Sequence, residues 1–253
     1  MYYLITLPGL KSPVKNEFTY QSSKPLNIGD LVQVPLKSKT YLGIVIEKSK
    51  KPRFTCREII QILYQKFLTE KHLNTSKFIS QYYFASLAQS INLYIPPSIE
   101  TPKSLKMLSE NLCSDIEPTS LVPLNTLTEI QEETFQNILA ETKKMHMIHG
   151  VTGSGKTEIY LHLAKKYLEQ GKQVLILLPE ISLTPQIQKK FTQHFGEDNV
   201  VIYNSSLNKT EKLQAFLDIR NNNKKIAIGA RSSLFLPFVD LGLIVMDEEH
   251  DHA

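Results

Sequence analysis

The run Gly150-Val-Thr-Gly-Ser-Gly-Lys-Thr157 constrains this 253-residue chain more than any other feature. It fits the pattern G-x-x-x-x-G-K-[ST], in which glycines let successive backbone N–H groups turn inward around a phosphate chain. Context agrees with the pattern. The apolar stretch 145–148 before it predicts a strand, and 157–170 after it predicts an amphipathic helix whose N-terminus adds partial positive charge. Gly150, Val151, Thr152, Gly153, Ser154 and Gly155 form the cradle. Lys156 is placed to reach the β- and γ-phosphates and the Thr157 hydroxyl to ligate Mg²⁺. The expected ligand is a nucleoside triphosphate with Mg²⁺.

Beyond the loop, strand and helix alternate. Thr128 and Gln131 open a helix carrying Ile130, Phe135, Ile138 and Leu139 on one side. Gly171 fits a helix C-cap, Pro185 the first turn of another helix, and 174–178, 200–203, 226–228 and 243–246 read as buried strands. This is the α/β pattern of a doubly wound parallel sheet, a P-loop motor lobe of the RecA-like kind, with ligands at strand C-terminal ends. At one such end an apolar strand runs into Asp247-Glu-Glu-His250. An Asp at that position is expected to hold Mg²⁺ and the adjacent Glu248 to orient or deprotonate an attacking water. Glu249 is as well explained by solvation.

The first third differs. Residues 1–98 carry 13 Lys and Arg against 5 acids, so +8 of charge sits in a chain whose net is +4, and the remainder is −4. Such a balance suits a polyanion partner or a solvated lysine-rich face. Segments 18–20, 31–35, 41–46 and 59–63 read as short strands of a small barrel or twisted sheet. Residues 75–90 read as one helix, whose Phe78, Ile79, Tyr82, Tyr83 and Leu87 are expected in the core rather than as base-stacking platforms. Pro102, Pro118 and Pro123 mark 99–125 as a linker. The expected division is 1–98, a basic β-rich domain; 99–125, a linker; and 126–253, an α/β P-loop lobe.

Composition closes off other classes. With 42% hydrophobic residues the chain supports two cores. It has no apolar run of the ~20 residues a bilayer requires, and its N-terminus lacks the basic region and cleavage site of a signal peptide. Cys56 and Cys113 stand apart, as reduced thiols in a cytoplasmic protein rather than metal ligands.

The longer strings carry a resemblance. Gly150-Val-Thr-Gly-Ser-Gly-Lys-Thr-Glu158, Pro179-Glu-Ile-Ser-Leu-Thr-Pro-Gln186, Gly229-Ala-Arg-Ser-Ser233 and Asp247-Glu-Glu-His-Asp251 resemble the primosomal protein N′ (PriA) family of bacterial replication-restart helicases, within superfamily 2. Phe18-Thr-Tyr20, Gly29-Asp-Leu-Val-Gln-Val-Pro35, Gly43-Ile-Val-Ile46 and Gln81-Tyr-Tyr83 are similar to that family's DNA-binding domain. The resemblance implies an ATP-dependent 3′→5′ DNA helicase that recognises stalled or branched forks and initiates primosome assembly. It implies DNA (forks, single strands and 3′ ends), primosome components and single-strand-binding proteins as partners.

By the same resemblance Gln131 is the adenine-recognising glutamine, although a capping box explains it too. Ser182, Thr184, Arg231 and Ser232 contact the single-strand backbone, with helix N-capping the other reading of Ser182 and Thr184. His250 links hydrolysis to strand movement, with packing as the alternative. Phe18, Thr19, Tyr20 and Arg57 form a pocket for a nascent 3′ end. Thr19 replaces the family's usual Asp there, and Lys37 stands near where a Gly is usual. The family's second lobe, arginine finger and cysteine-rich Zn²⁺ module are not among these residues. The chain is therefore expected to be the N-terminal part of a longer helicase, to bind ATP weakly and not to unwind DNA alone. A non-enzymatic fork-binding scaffold, or another superfamily 2 motor, would share much of this pattern.

Overall fold

A computed structural model describes residues 1–10, 16–96, 99, 104, 122–141, 145–151, 153–179 and 185–247. The chain divides into two compact units, Met1–Leu112 with Lys209–Leu213, and Cys113–Asn208 with Gln214–Ala253.

The first unit is built on five strands: β1 (Tyr2–Thr6), β2 (Glu17–Gln21), β3 (Leu31–Leu36), β4 (Lys39–Ser49) and β5 (Gln61–Tyr64). They pair antiparallel in the order β2-β1-β4-β3-β5. The predicted strands are all present, but β1, which lies between β2 and β4, was not foreseen. Its sequence, Tyr-Tyr-Leu-Ile-Thr, is β-branched and aromatic as a strand should be. One edge strand, β2, meets the segment that leads into the other, β5. Gln21 N–H donates to Arg57 O (2.9 Å) and Ile59 N–H to Gln21 O (3.0 Å), drawing the sheet toward a small barrel. Tyr3, Ile5, Leu7, Val32, Val34 and Val45 fill its interior.

Asp30 is fully buried, yet satisfied: it accepts from Asn27 N–H (2.8 Å) and Lys66 N–H (2.7 Å), tying two loops together. The β3–β4 hairpin turns on Lys37 and Ser38, with Lys37 at φ +55, a left-handed conformation that favours glycine.

Where one helix over 75–90 was predicted, two form. α1 (Glu70–Tyr82) starts early because Thr69 and His72 make a capping box, a histidine taking the usual Glu/Gln place. It stops where Phe84 takes φ +53, and Ser86 with Gln89 caps a new helix, α2 (Leu87–Asn92). The expected aromatic core is also overturned, since Phe78, Tyr82 and Tyr83 lie exposed. The buried face of α1 is carried instead by His72, Leu73 and Ser76.

The second unit has a parallel sheet of β6 (Gln173–Leu177), β7 (Val200–Tyr203), β8 (Ile226–Gly229) and β9 (Leu241–Met246), in the order β7-β8-β6-β9. Alternation along β6 sorts the two faces. Val174 and Ile176 pack with Leu161 and Ala164 of α4 (Lys156–Glu169) and with Phe191 of α5 (Pro185–Phe195). Leu175 and Leu177 pack with Ala215 and Ile219 of α6 (Lys209–Arg220). Helices on both faces make the lobe doubly wound, as predicted. α3 (Glu129–Ala140) precedes the loop. Gln173, wholly buried, donates through Nε2 to Ile219 O (2.8 Å) and accepts at Oε1 from Val239 N–H (2.8 Å), so that it pins two connections to β6.

One predicted element is absent. Residues 145–148 form no strand, and Met145 and Met147 are each 87% exposed. Of its apolar side chains only Ile148 packs against the lobe core, too little burial to seat a strand.

Candidate functional site

The phosphate loop folds as its glycines dictate. Gly155 takes φ +82 immediately before α4, and a Cβ there would run into Gln131 Nε2. Lys156 is the first residue of α4 and turns back over the loop, its ammonium donating to Gly150 O (2.6 Å) and Val151 O (3.3 Å). The lysine is thus already seated on the cradle. Gly153, Ser154 and Val151 are exposed, and Thr157 is half-buried in the first turn of α4. Thr152 lies outside the described residues.

Gln131 does two jobs. Its Oε1 accepts from Thr128 N–H (3.0 Å), and its own N–H reaches Thr128 Oγ1 (3.4 Å), so the capping box is real. The other end of the same amide donates from Nε2 to Ser154 O (3.2 Å). One side chain therefore caps α3 and braces the phosphate loop.

Asp247 follows the C-terminal end of β9, with its N–H bonded to Leu177 O (3.0 Å) at the end of β6. Its Oδ1 accepts from the Tyr160 hydroxyl (3.1 Å) on α4. Burial, then the charge of Asp247 and this hydrogen bond, push the Tyr160 phenol far above its ordinary pKa, so it remains a donor. Sequence reasoning missed Tyr160. The available signal was a polar-tipped aromatic three residues after Thr157, one turn along the helix that leaves the loop. Glu248 and His250 lie outside the described residues.

A second brace stands behind the loop. Glu158 accepts from Lys190 Nζ (2.6 Å) on α5 and from Asn125 Nδ2 (3.4 Å). Burial raises its pKa, but the Lys190 hydrogen bond and charge, with Asn125, outweigh burial and hold it below the ordinary value. Asn125 O also meets His162 Nε2 (3.0 Å), and Val122 O meets His194 Nδ1 (2.9 Å). Residues 122–125 thereby lie fastened along α4 and α5.

After β8 the chain makes a 3₁₀ turn, Arg231–Phe235, pressed against the end of β7. Gly229 permits this, because a Cβ would strike Tyr203 O and Ser233 Oγ. Ser233 is buried, whereas Arg231 and Ser232 are exposed at the C-terminal rim of the sheet. Ser182 and Thr184 lie outside the described residues.

In the first unit Phe18, Thr19 and Tyr20 share β2. Tyr20 is buried and donates to Pro35 O (3.2 Å); burial raises its pKa, against the opposing charge of Arg57. Phe18 is half-buried against the barrel core. Arg57 is exposed and donates from Nη1 to Lys37 O (2.8 Å), while its backbone carbonyl holds Gln21. The structure therefore brings Tyr20 and Arg57 into electrostatic reach and ties Lys37 to the same place.

A braced phosphate loop, a carboxylate at the tip of a parallel strand and a β-rich domain ahead of them define a P-loop motor lobe joined to a small barrel. Residues 128–253 match the DEAD/DEAH box helicase family, and residues 9–96 match the PriA 3′ DNA-binding domain. The replication restart protein PriA of Rickettsia felis is 42% identical over 94% of this chain and 36% of its own length. Those of Helicobacter pylori (37% identity, 96% and 37% coverage) and Treponema pallidum (31%, 95% and 38%) are similar. The chain belongs to the PriA family of helicases. It spans a little over a third of the length of these curated relatives.

Proposed function

We propose that this chain supplies the DNA-binding domain (residues 1–98) and first motor lobe (residues 126–253) of an ATP-dependent 3′→5′ DNA helicase. The enzyme would recognise stalled or branched forks and initiate replication restart and primosome assembly in the bacterial cytoplasm. The observation that carries this reading is the Lys156 loop and Asp247 joined through Tyr160 on α4.

Lys156 already sits on two carbonyl oxygens, and it would exchange them for β- and γ-phosphate oxygens, a stronger charge-assisted pairing. The donor set suits a hard cation, a hydroxyl at Thr157 and a carboxylate at Asp247. Bound Mg²⁺ would neutralise charge on the transferred phosphoryl group. Tyr160 fixes the Asp247 carboxylate in orientation. Glu248 is assigned the attacking water and His250 the link to strand movement. Gln131 is assigned adenine contact through the same amide that braces Ser154.

Arg231 and Ser232, exposed on the rim, with Ser182 and Thr184, are assigned to the single-strand backbone. Phe18, Thr19, Tyr20 and Arg57 are assigned to the 3′ end of a nascent strand. Single-strand-binding and primosome proteins are the expected partners, and Zn²⁺ belongs to longer family members.

Two measurements test the two halves. Fluorescence anisotropy on forks whose leading strand ends in 3′-OH or 3′-phosphate should favour the hydroxyl; equal affinity removes the end-binding assignment. A fluorescent ATP analogue with Mg²⁺ should bind the chain and lose binding in Lys156→Ala. Unchanged binding in that variant overturns the nucleotide assignment.

A further inference from the structure

The C-terminal end of α1 holds four aromatic residues in solvent. Phe78 is 61% exposed, Tyr82 64%, Tyr83 69% and Phe84 96%. Phe78 and Tyr82 stack with ring centroids 5.6 Å apart, and Tyr83 meets Tyr82 edge-on at 4.9 Å, so three rings form one continuous surface.

Phe84 is the most telling. Ala85 N–H donates to Ser80 O (3.1 Å), and Ser80 Oγ to Ala85 O (2.7 Å). This helix ending puts the residue between them in the left-handed region, at φ +53, where glycine is the ordinary choice. A phenylalanine there is strained and gains no burial in return. Folding alone does not explain the residue.

Charge identifies the ligand. Lys71, Asn74, Lys77 and Gln81 are exposed along the same helix, the only acid on it is Glu70 in the first turn, and residues 1–98 carry +8. Exposed rings beside lysines and amides are what stacked bases and a phosphate backbone require. We infer that the aromatic end of α1 is a stacking platform for single-stranded nucleic acid, a contact beyond the 3′-end assignment of β2 and tolerant of sequence because every base offers a π-face.

The test uses a covalently circular, internally labelled oligothymidylate, which has no 3′ end, and the whole chain. The wild-type chain should bind the circle. Phe78→Ala with Tyr82→Ala should weaken binding about tenfold or more, without changing its salt dependence, because the phosphate contacts remain. Phe84→Gly should weaken binding severalfold while raising the unfolding midpoint, a pairing that a damaged fold does not produce. Unchanged affinity in both variants, as expected if the rings serve a protein partner, overturns the inference. So does failure of the wild-type chain to bind the circle. Either result leaves the 3′-end reading standing, because that rests on linear forks.

Discussion

Helices α1 and α4 are 13 and 14 residues long and each carries aromatics at helical spacing, but the two treat them in opposite ways. On α4, Tyr160 is buried among Leu161, Ala164 and the sheet, and its hydroxyl finds Asp247. On α1, Phe78 and Tyr82 face water, and a histidine, a leucine and a serine make the buried face. Spacing reveals that residues share a face. Which face turns inward depends on what the neighbouring elements leave to cover.

The contrast is broken most sharply by truncation. Tyr160→Ala should cost about 3–5 kcal/mol in urea unfolding, as large-to-small core changes do. Tyr82→Ala should stay within ~0.5 kcal/mol, the range of ordinary surface changes. Comparable losses would mean that α1 also packs through its rings.

Next in size are polar side chains that brace neighbouring segments. Asp30→Ala removes the acceptor of the Asn27 and Lys66 N–H groups and should cost about 1–3 kcal/mol at neutral pH. Glu158→Gln should have a smaller effect with a signature in pH. Because folding lowers the Glu158 pKa, its contribution is present above the unfolded value near 4.5 and fades as pH falls through the folded one. Urea midpoints of the wild type and the variant should differ at pH 7 and converge in acid. A gap that persists in acid would assign the effect to packing. The smallest change is Lys37→Gly, expected to stabilise the chain by up to ~1 kcal/mol in thermal unfolding, since glycine relieves the left-handed turn.

The lobe was the more legible unit, for a physical reason. Parallel strands buried on both faces appear as unbroken apolar runs, and 174–178, 200–203, 226–228 and 243–246 all became strands. The glycine-rich turn before α4 was legible because the left-handed conformations of Gly153 and Gly155 admit few residue types. What escaped notice depended on partners distant in sequence. Tyr160 meets a carboxylate 87 positions away, and Gln131 reaches Ser154 across 23. Residues 145–148 misled because an apolar run shows what could be buried, not whether a sheet takes it up. The single helix expected over 75–90 failed at Phe84, because a residue in glycine's conformation bears no mark in sequence.

The seam at Gln21 has a consequence for how this domain behaves at high concentration. An antiparallel sheet normally ends in two rows of unpaired amides, each a template on which a second molecule can grow. Here β2 and the segment leading into β5 occupy one another through Gln21, Arg57 and Ile59. Removing a single donor, as Ile59→Pro would, reopens that edge and should promote strand-to-strand association. A pair of backbone hydrogen bonds thus limits strand-to-strand growth as well as setting shape.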